Sequence, residues 1–191
     1  MGAEGWFYPE TYYFAKGTTD IDLLQRAHRK MQEELDDAWG KRTQSDVITT
    51  PYEALILASI VEKETGAVEE RPQIAGVFVR RLQLGMRLQT DPTVIYGIDD
   101  YSGNITRTDL NTWTPYNTYM NHGLTPTPIA MPGRAAIDAV LNPEPGDALY
   151  FVARGDGRHY FSATLAEHQE AVRKYQIEQR AEDYRSSPEW E

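Results

Sequence analysis

The chain has 191 residues, of which 40% are hydrophobic and 25% are charged, and its formal net charge is -10 at pH 7. This composition indicates a globular domain with a substantial core, and the negative charge argues against nucleic acid as a partner, because phosphate binding needs clustered lysine and arginine. The lack of cysteine excludes disulfides, thiolate metal sites and cysteine nucleophiles, and no apolar run is long enough to cross a bilayer, so we expect a soluble chain.

The first helix is predicted from Asp20 to Trp39, and Gly40 is placed to end it. Hydrophobic residues recur within it at helical spacing on one face, namely Leu24, Ala27, Met31, Leu35 and Ala38. We therefore expect that face to pack against the core.

A second helix is predicted to begin at Pro51 and to end near Gly66. Thr50 and Glu53 have the spacing of a capping box, in which each side chain bonds the other residue's backbone N–H, and proline suits the first helical position. A third helix is expected from Arg71 to Leu84, ending before Gly85. Its apolar face comprises Ile74, Val77, Phe78 and Leu82.

The segment from Met86 to Pro132 is rich in Thr, Pro, Asn, Tyr and Gly and shows little sustained periodicity. An irregular stretch of this length inside a compact domain is usually functional or contains short elements that periodicity misses. We therefore expect a functional surface or short helices here.

A short helix and a hairpin follow this segment. The helix is predicted from Ala135 to Leu141. Two strands, Ala148 to Arg154 and His159 to Ala163, are separated by the turn residues Gly155 to Arg158.

The last predicted helix begins after Thr164, which forms a second capping box with Glu167, and reaches about Ala181. Residues 183–191 form a charged tail that we expect to fray. The elements together predict an α+β fold: one mainly helical domain with a small antiparallel sheet.

Two glutamates near the end of the second helix differ in their predicted direction. On a helical wheel, Glu64 lies about 20° from Leu57, on the axis of the apolar face, whereas Glu62 lies about 140° away, where a solvated charge is expected. An ionised carboxyl on a buried face is costly, so its pKa tends to rise toward that of a general acid. The structural alternative is that Glu64 reaches water or pairs with Arg80, Arg81 or Arg87.

Other candidates for chemistry are weaker. His159 and His168 match no compact metal-ligand spacing, and the chain contains no H-E-x-x-H motif, so we expect structural roles for both and no metal. Ser59 lies in a buried segment but has no G-x-S-x-G elbow around it.

Four stretches carry a resemblance to a known family. They are EGWFYPETYYF (4–14), LASIVEKETGAVEERPQIAGVFVRRLQLGMRLQTDPTVIYG (57–97), TPYNTYMNHGLTPTPIAMPG (114–133) and LYFVARGDGRHYFSATLAEH (149–168). On these residues the chain closely resembles the endolytic murein transglycosylase family, also called MltG or YceG-like. The resemblance covers nearly the whole chain.

This resemblance implies a bacterial cell-wall lyase that cleaves the MurNAc-GlcNAc β-1,4 bond of peptidoglycan without water. The products would carry 1,6-anhydro-MurNAc ends, and nascent glycan strands would be terminated or trimmed. In the wider lytic transglycosylase group, Ser or Thr follows the catalytic glutamate; Glu64-Thr65 matches that pair and Glu62-Lys63 does not. Glu64 is thus the expected catalytic residue. A muramidase that hydrolyses the same bond and a non-catalytic peptidoglycan-binding or scaffold module stay open as alternatives.

The resemblance further implies a lytic-transglycosylase-like groove. Its expected substrate-binding residues are Thr65, Gln89, Thr90, Asp91, Tyr96, Asn117 and Tyr119. Structural alternatives exist for two of them, because Thr90 also suits a helix N-cap and Asn117 suits a turn. Asp91 is open as a second catalytic carboxylate.

The resemblance also implies partners, a location and a domain arrangement. No cofactor is implied; the partners would be peptidoglycan glycan strands and penicillin-binding protein synthases. Residues 4–182 would form the catalytic domain. Family members carry an N-terminal membrane anchor and a LysM-like domain, neither of which we identify in this sequence, and the full-length protein would lie at the periplasmic face of the bacterial inner membrane.

Overall fold

The computed structural model describes residues 2–178. It confirms the predicted α+β class, since helices dominate these residues and the one sheet among them has two antiparallel strands. In chain order the helices are α1 (Asp20–Gly40), α2 (Pro51–Glu64), α3 (Arg71–Gln83), α4 (Asp91–Tyr96), α5 (Arg107–Asn111), α6 (Arg134–Leu141) and α7 (Leu165–Val172). Within the described range, no helix combines the length and hydrophobicity that a membrane span requires.

Helix α2 lies at the centre of the core, where α6, α3 and α1 pack around it. The predicted capping box of Thr50 and Glu53 is present at its start. Every residue from Ala54 to Val61 is buried, including the polar Ser59. Since full burial of a leucine or isoleucine stabilises a fold by about 1.5–3 kcal/mol, these turns anchor α2 firmly.

Helix α1 covers one side of this core with four of the five residues predicted to face inward. Ala27, Met31, Leu35 and Ala38 are buried. Leu24, however, is 45% exposed. The apolar face of α1 therefore begins one turn later than the periodicity predicts.

Helix α3 follows a short 3₁₀ turn (Val68–Glu70) and ends as predicted before Gly85. Gly85 has a φ of +65°, a left-handed conformation that glycine adopts without steric cost, and its N–H donates to the Leu82 carbonyl. The chain thereby turns back toward the end of α2.

The irregular middle segment contains two short helices, α4 and α5, that were not individually predicted. Each is shorter than two turns, so no hydrophobic period can develop within it. Most of the remaining segment consists of turns and extended backbone.

The hairpin comprises β1 (Tyr150–Ala153) and β2 (His159–Ser162), both shorter than predicted. Their antiparallel register pairs Tyr150 with Ser162 and Ala153 with His159. The Thr164–Glu167 capping box opens α7, which continues as a π-helical segment (Arg173–Glu178). The predicted end of this helix near Ala181 and the tail at 183–191 lie outside the described residues.

Candidate active site

A cavity of about 800 Å³ opens between the last turn of α2, the start of α4, the hairpin and α7. This volume lies within the usual range for ligand-binding pockets. The lining includes five of the eight predicted site residues: Glu64, Thr65, Gln89, Asp91 and Tyr119. The structure thus brings together residues that are up to 55 positions apart in the chain.

Glu64 is the last residue of α2, and its carboxyl lies at the cavity wall. The residue is half-buried, and the hydroxyl of Thr90 donates a hydrogen bond to its Oε2 atom. The pKa of Glu64 is raised to about 7, chiefly by burial. The negative charge of Asp91 also raises this pKa, while the Thr90 hydrogen bond and the charge of Arg81 lower it, and about 7 is the net result. Near neutral pH this carboxyl can therefore both give and take a proton.

Thr90 is fixed by a network of buried threonines. Its N–H donates to Thr118 Oγ1 at 3.1 Å, its carbonyl accepts from Thr93 Oγ1 at 2.7 Å, and the Thr93 and Thr118 hydroxyls lie 2.8 Å apart. Thr90 occupies the N-cap position of α4, but its side chain makes no capping bond. Thr90 is itself buried and does not line the cavity, so the structure places it behind Glu64 rather than at the ligand surface predicted for it.

Asp91 and Tyr119 form a second polar group in the cavity wall. The Tyr119 hydroxyl donates to Asp91 Oδ1 at 2.7 Å. Burial and the adjacent Asp91 carboxylate raise the pKa of Tyr119, so that it stays a hydrogen-bond donor at neutral pH. The carboxyl groups of Glu64 and Asp91 thus lie in different environments, one beside a threonine and the other beside a phenol.

Gln89 and Thr65 line the same cavity as Glu64. Gln89 is the only described non-glycine residue with a positive φ, at +50°, and its N–H donates to the Thr118 carbonyl. Such backbone conformations cost free energy and cluster at functional sites. Thr65 is buried, and its hydroxyl accepts from the Ala67 N–H, which stabilises the turn after α2.

Besides Thr90, two further predicted substrate-binding residues do not line this cavity. Asn117 is fully buried: its amide nitrogen donates to the carbonyls of Asp109, Leu110 and Thr112, and its side-chain oxygen accepts from the Tyr119 N–H. These contacts use the polar groups of Asn117 to hold the loop, so the structure does not bring Asn117 to the cavity where the sequence predicts it.

Tyr96 lies at the end of α4, outside the cavity lining. Its ring packs edge-on against Tyr116, with centroids 4.8 Å apart, and its hydroxyl lies 3.5 Å from a Glu4 carboxylate oxygen. The structure therefore does not place Tyr96 in the predicted position, because α4 carries it to the opposite end from Asp91.

The prediction that Glu62 is an ordinary solvated charge is wrong. Its Oε1 atom accepts from Arg71 Nη2 at 2.7 Å, its Oε2 atom accepts from the Gly133 N–H at 3.0 Å, and its side chain is only 24% exposed. The wheel assumes one exposed face, whereas α2 is covered on several sides. Glu62 links α2 to the start of both α3 and α6.

Arg81, Tyr150 and His168 line the cavity although they were not predicted as site residues. The Arg81 guanidinium lies 5.1 Å from the centre of the Tyr150 ring, which stacks on His168 with centroids 5.2 Å apart. The spacing of Arg81 from Ile74, Val77 and Phe78 places it on the apolar face of α3, a signal of burial present in the sequence.

His159 lines the cavity but is held by a structural pair. Its ring Nδ1 atom lies 2.8 Å from one carboxylate oxygen of Glu70, and its backbone N–H donates to the other oxygen. This pair fastens β2 to the turn before α3. Among residues 2–178, no group of three histidine or acidic side chains is arranged to hold a metal ion.

Comparisons with known proteins connect this geometry to a family. A sequence model of the YceG-like family matches residues 1–174. The chain is 37% identical over 172 residues to a Bacillus subtilis protein named endolytic murein transglycosylase, covering 90% of this chain and 48% of that protein. It is 33% identical over 178 residues to a Streptococcus pneumoniae protein of the same name, covering 90% of this chain and 32% of that protein.

The fold is also similar to that of a solved YceG-like structure. The 2.6 Å crystal structure of a YceG-like protein from Listeria monocytogenes superposes with a TM-score of 0.77 at 38% identity, covering 88% of this chain and 55% of that one. The chain thus spans about half the length of the Bacillus relative and about a third of the Streptococcus relative.

Proposed function

The chain belongs to the YceG-like family, and on that premise we propose that it is a peptidoglycan lytic transglycosylase that cleaves the MurNAc-GlcNAc β-1,4 bond within glycan strands. The names of its relatives in Bacillus and Streptococcus support this substrate class. The observation that carries the proposal is Glu64: one carboxyl in the cavity wall, bonded by Thr90, with a pKa of about 7.

In the proposed reaction, Glu64 first acts as a general acid. Its proton moves to the glycosidic oxygen as the bond from that oxygen to C1 of the muramyl residue breaks, so the departing sugar leaves with a 4-hydroxyl. C1 acquires oxocarbenium-like positive charge, and Glu64 becomes a carboxylate. The Thr90 hydrogen bond stabilises that carboxylate.

The same carboxylate then acts as a general base. It accepts the proton of the muramyl C6 hydroxyl while the C6 oxygen bonds to C1, which forms the 1,6-anhydro ring and returns Glu64 to its protonated form. No water is consumed. The nucleophile belongs to the sugar that carries C1, so its proximity supplies much of the rate.

In the proposed reaction Asp91 has an electrostatic role beside Glu64 and does not act as the nucleophile. It lines the same cavity, and the Tyr119 hydroxyl fixes one of its oxygens. A fixed carboxylate stabilises positive charge that develops at C1 in the transition state. Gln89 and Thr65, which line the same cavity as Glu64, are the proposed contacts for sugar hydroxyl and acetamido groups.

The presence of Asp91 also favours a specific second candidate, a muramidase. In that reaction Glu64 donates the same proton, while a water or the Asp91 carboxylate attacks C1. Hydrolysis would add one water and leave reducing ends. Product masses distinguish the two reactions, because each anhydro end is lighter by one water.

The test is digestion of purified peptidoglycan by the wild type and by Glu64→Gln, with product analysis by mass spectrometry. We expect anhydro-MurNAc ends with the wild type and at least about a hundredfold lower rate with Glu64→Gln, since general acid–base catalysis contributes about 10²–10⁴-fold. Glu33→Gln, an exposed position on α1, is the matched control and should retain full activity.

Two results would refute the proposal. Reducing ends in place of anhydro ends would favour the muramidase. Undiminished function of a folded Glu64→Gln protein in cells would favour a non-catalytic binding or scaffold module.

The resemblance supports further proposals about the whole protein. We propose that it works at the periplasmic face of the inner membrane, held by an anchor outside this sequence, and that penicillin-binding protein synthases are its partners. Cleavage of nascent strands would then occur where those synthases make them.

A further inference from the structure

Arg81 is a buried cation for which the described residues provide no carboxylate in ion-pair contact. It is 7% exposed, and all its hydrogen bonds in the described range go to backbone carbonyls. Nε donates to the Leu149 carbonyl at 2.6 Å, and Nη1 donates to the carbonyls of Leu88 at 2.8 Å and Arg87 at 3.3 Å. Buried charges in proteins are normally paired, so this arrangement requires an explanation.

The carbonyl contacts hold the guanidinium in one place. They connect α3 to the segment before α4 and to the start of the hairpin, and the Tyr150 ring lies against the guanidinium. An arginine suits this position because its planar group keeps its proton even when buried and makes several fixed hydrogen bonds at once. A lysine at this position could not reproduce that geometry.

We propose that Arg81 is the counter-charge of the carboxylate that Glu64 becomes during the reaction, and so a positioning residue that acts through Glu64. This inference rests on the proposed function. Both side chains line the same cavity, and the charge of each shifts the pKa of the other. A negative charge appears on Glu64 only after proton donation, when Arg81 already lies in place to stabilise it.

The separation of the two groups is part of this argument. A direct ion pair would hold Glu64 as a carboxylate at neutral pH and remove the proton that it must donate. Arg81 makes no such pair among the described residues, and its Nε and Nη1 atoms are directed at the three carbonyls. Its charge therefore lowers the free energy of the carboxylate without preventing protonation.

Other charged or titratable groups face the Glu64 and Arg81 side chains and affect how Glu64 ionises with pH. Asp91 on α4 opposes ionisation of Glu64, and the high pKa of Tyr119 keeps that phenol neutral. Burial and the charge of Arg81 lower the pKa of His168, which keeps it neutral to a lower pH than an ordinary histidine. The remaining such groups in the cavity wall are Glu62, Lys63, Arg71, Tyr150 and His159.

The test compares Arg81→Gln with Arg80→Gln. Arg80 is a matched control because it lies next to Arg81 on α3 and also donates to two carbonyls, of Ala148 at 2.8 Å and Glu144 at 3.1 Å. It borders a different cavity from Glu64. Both variants thus lose backbone ties of the same kind, and one of them also loses the charge beside Glu64.

The first readout is the titration of Glu64, followed by NMR of isotope-labelled glutamate carboxyl carbons and assigned by comparison with Glu64→Gln. We expect Arg81→Gln to raise the midpoint by about one pH unit, since it removes a cation from the wall of the cavity that Glu64 also lines. Arg80→Gln should leave the midpoint unchanged. If Arg81→Gln folds poorly, Arg81→Met gives the same change of charge, and Arg81→Lys, which keeps the charge, should shift the midpoint less than either.

The second readout is the pH profile of peptidoglycan cleavage. In Arg81→Gln we expect the alkaline limb to move upward with the Glu64 midpoint, and kcat to fall about tenfold on the plateau while KM changes little. A folded charge-removing variant with an unchanged Glu64 midpoint would overturn the inference. The NMR titration needs no activity, so a failure of the proposed function, seen as an active Glu64→Gln, is distinguishable from a failure of this inference.

Discussion

Replacing Glu64 with glutamine should change how the stability of the fold depends on pH. In the folded protein burial raises the pKa of Glu64 to about 7, compared with an ordinary value of 4.5. Below the ordinary value both the folded and the unfolded chain hold this proton. Between the two values the unfolded chain loses the proton while the folded chain keeps it, so the wild type loses stability as the pH rises. Glutamine does not titrate, and the variant lacks this loss.

The two pKa values set the size of the effect. Each pKa unit corresponds to about 1.4 kcal/mol, so full ionisation of Glu64 costs the folded state about 3 kcal/mol above neutral pH. Glu64→Gln should therefore gain up to about 3 kcal/mol relative to the wild type between about pH 4 and about pH 8. The other carboxyl groups titrate in both proteins, and their contributions largely cancel in this difference.

Urea unfolding followed by tryptophan fluorescence measures the effect at a series of pH values. Glu62→Gln is the matched control, because it changes the same residue type on the same helix. It weakens the contacts with Arg71 and the Gly133 N–H, and should destabilise the fold by about 2 kcal/mol from about pH 6 to about pH 8, where an ordinary glutamate is ionised. Parallel pH profiles for the wild type and Glu64→Gln would refute the reasoning, since they would mean that Glu64 titrates alike in the folded and unfolded chains.

Two further substitutions test the groups behind the cavity wall. Thr90→Val removes the hydroxyl that donates to Glu64 and keeps the shape of the side chain. We expect the pKa of Glu64 to rise above about 7, the alkaline limb of the pH profile of cleavage to move with it, and kcat to fall about tenfold. Thr90→Ser, which keeps a hydroxyl, should restore the alkaline limb and kcat. An unchanged limb would show that this hydrogen bond does not act on the catalytic proton. Asn117→Ala removes the contacts that hold the loop and should cost about 2–3 kcal/mol of unfolding free energy by urea titration. A variant of wild-type stability that loses only substrate affinity would instead support the sequence prediction of a sugar contact.

The helices and the hairpin could be predicted because local signals determine their ends. The Thr50–Glu53 and Thr164–Glu167 capping boxes form as predicted, and Gly85 follows α3 in the expected left-handed conformation. Each of these signals involves residues within a few positions of one another. Helices α4 and α5 were missed because six and five residues cannot show a period of 3.6.

The site was less predictable because its contacts join distant parts of the chain. The bonds from Thr90 and Thr93 to Thr118 span 28 and 25 positions, and nothing local in the sequence indicates them. The helical wheel placed Glu64 correctly on the inner face of α2 but misassigned Glu62, because an interior helix has no fully solvated side. Applied to α3, the same wheel would have identified Arg81 as a buried charge.

The position of Glu64 at the end of α2 reconciles burial with access. The preceding residues on the same face, Leu57, Ile60 and Val61, are fully buried, so a carboxyl one turn earlier would lie in the core and out of reach of a ligand. At the last residue the helix still fixes the backbone, while the unpaired carbonyls of its C-terminus add partial negative charge that favours the protonated acid. The Thr90 hydroxyl and the charge of Arg81 act against that preference. Because these influences oppose one another, the pKa stays near neutrality, where one carboxyl can give a proton and then take one back.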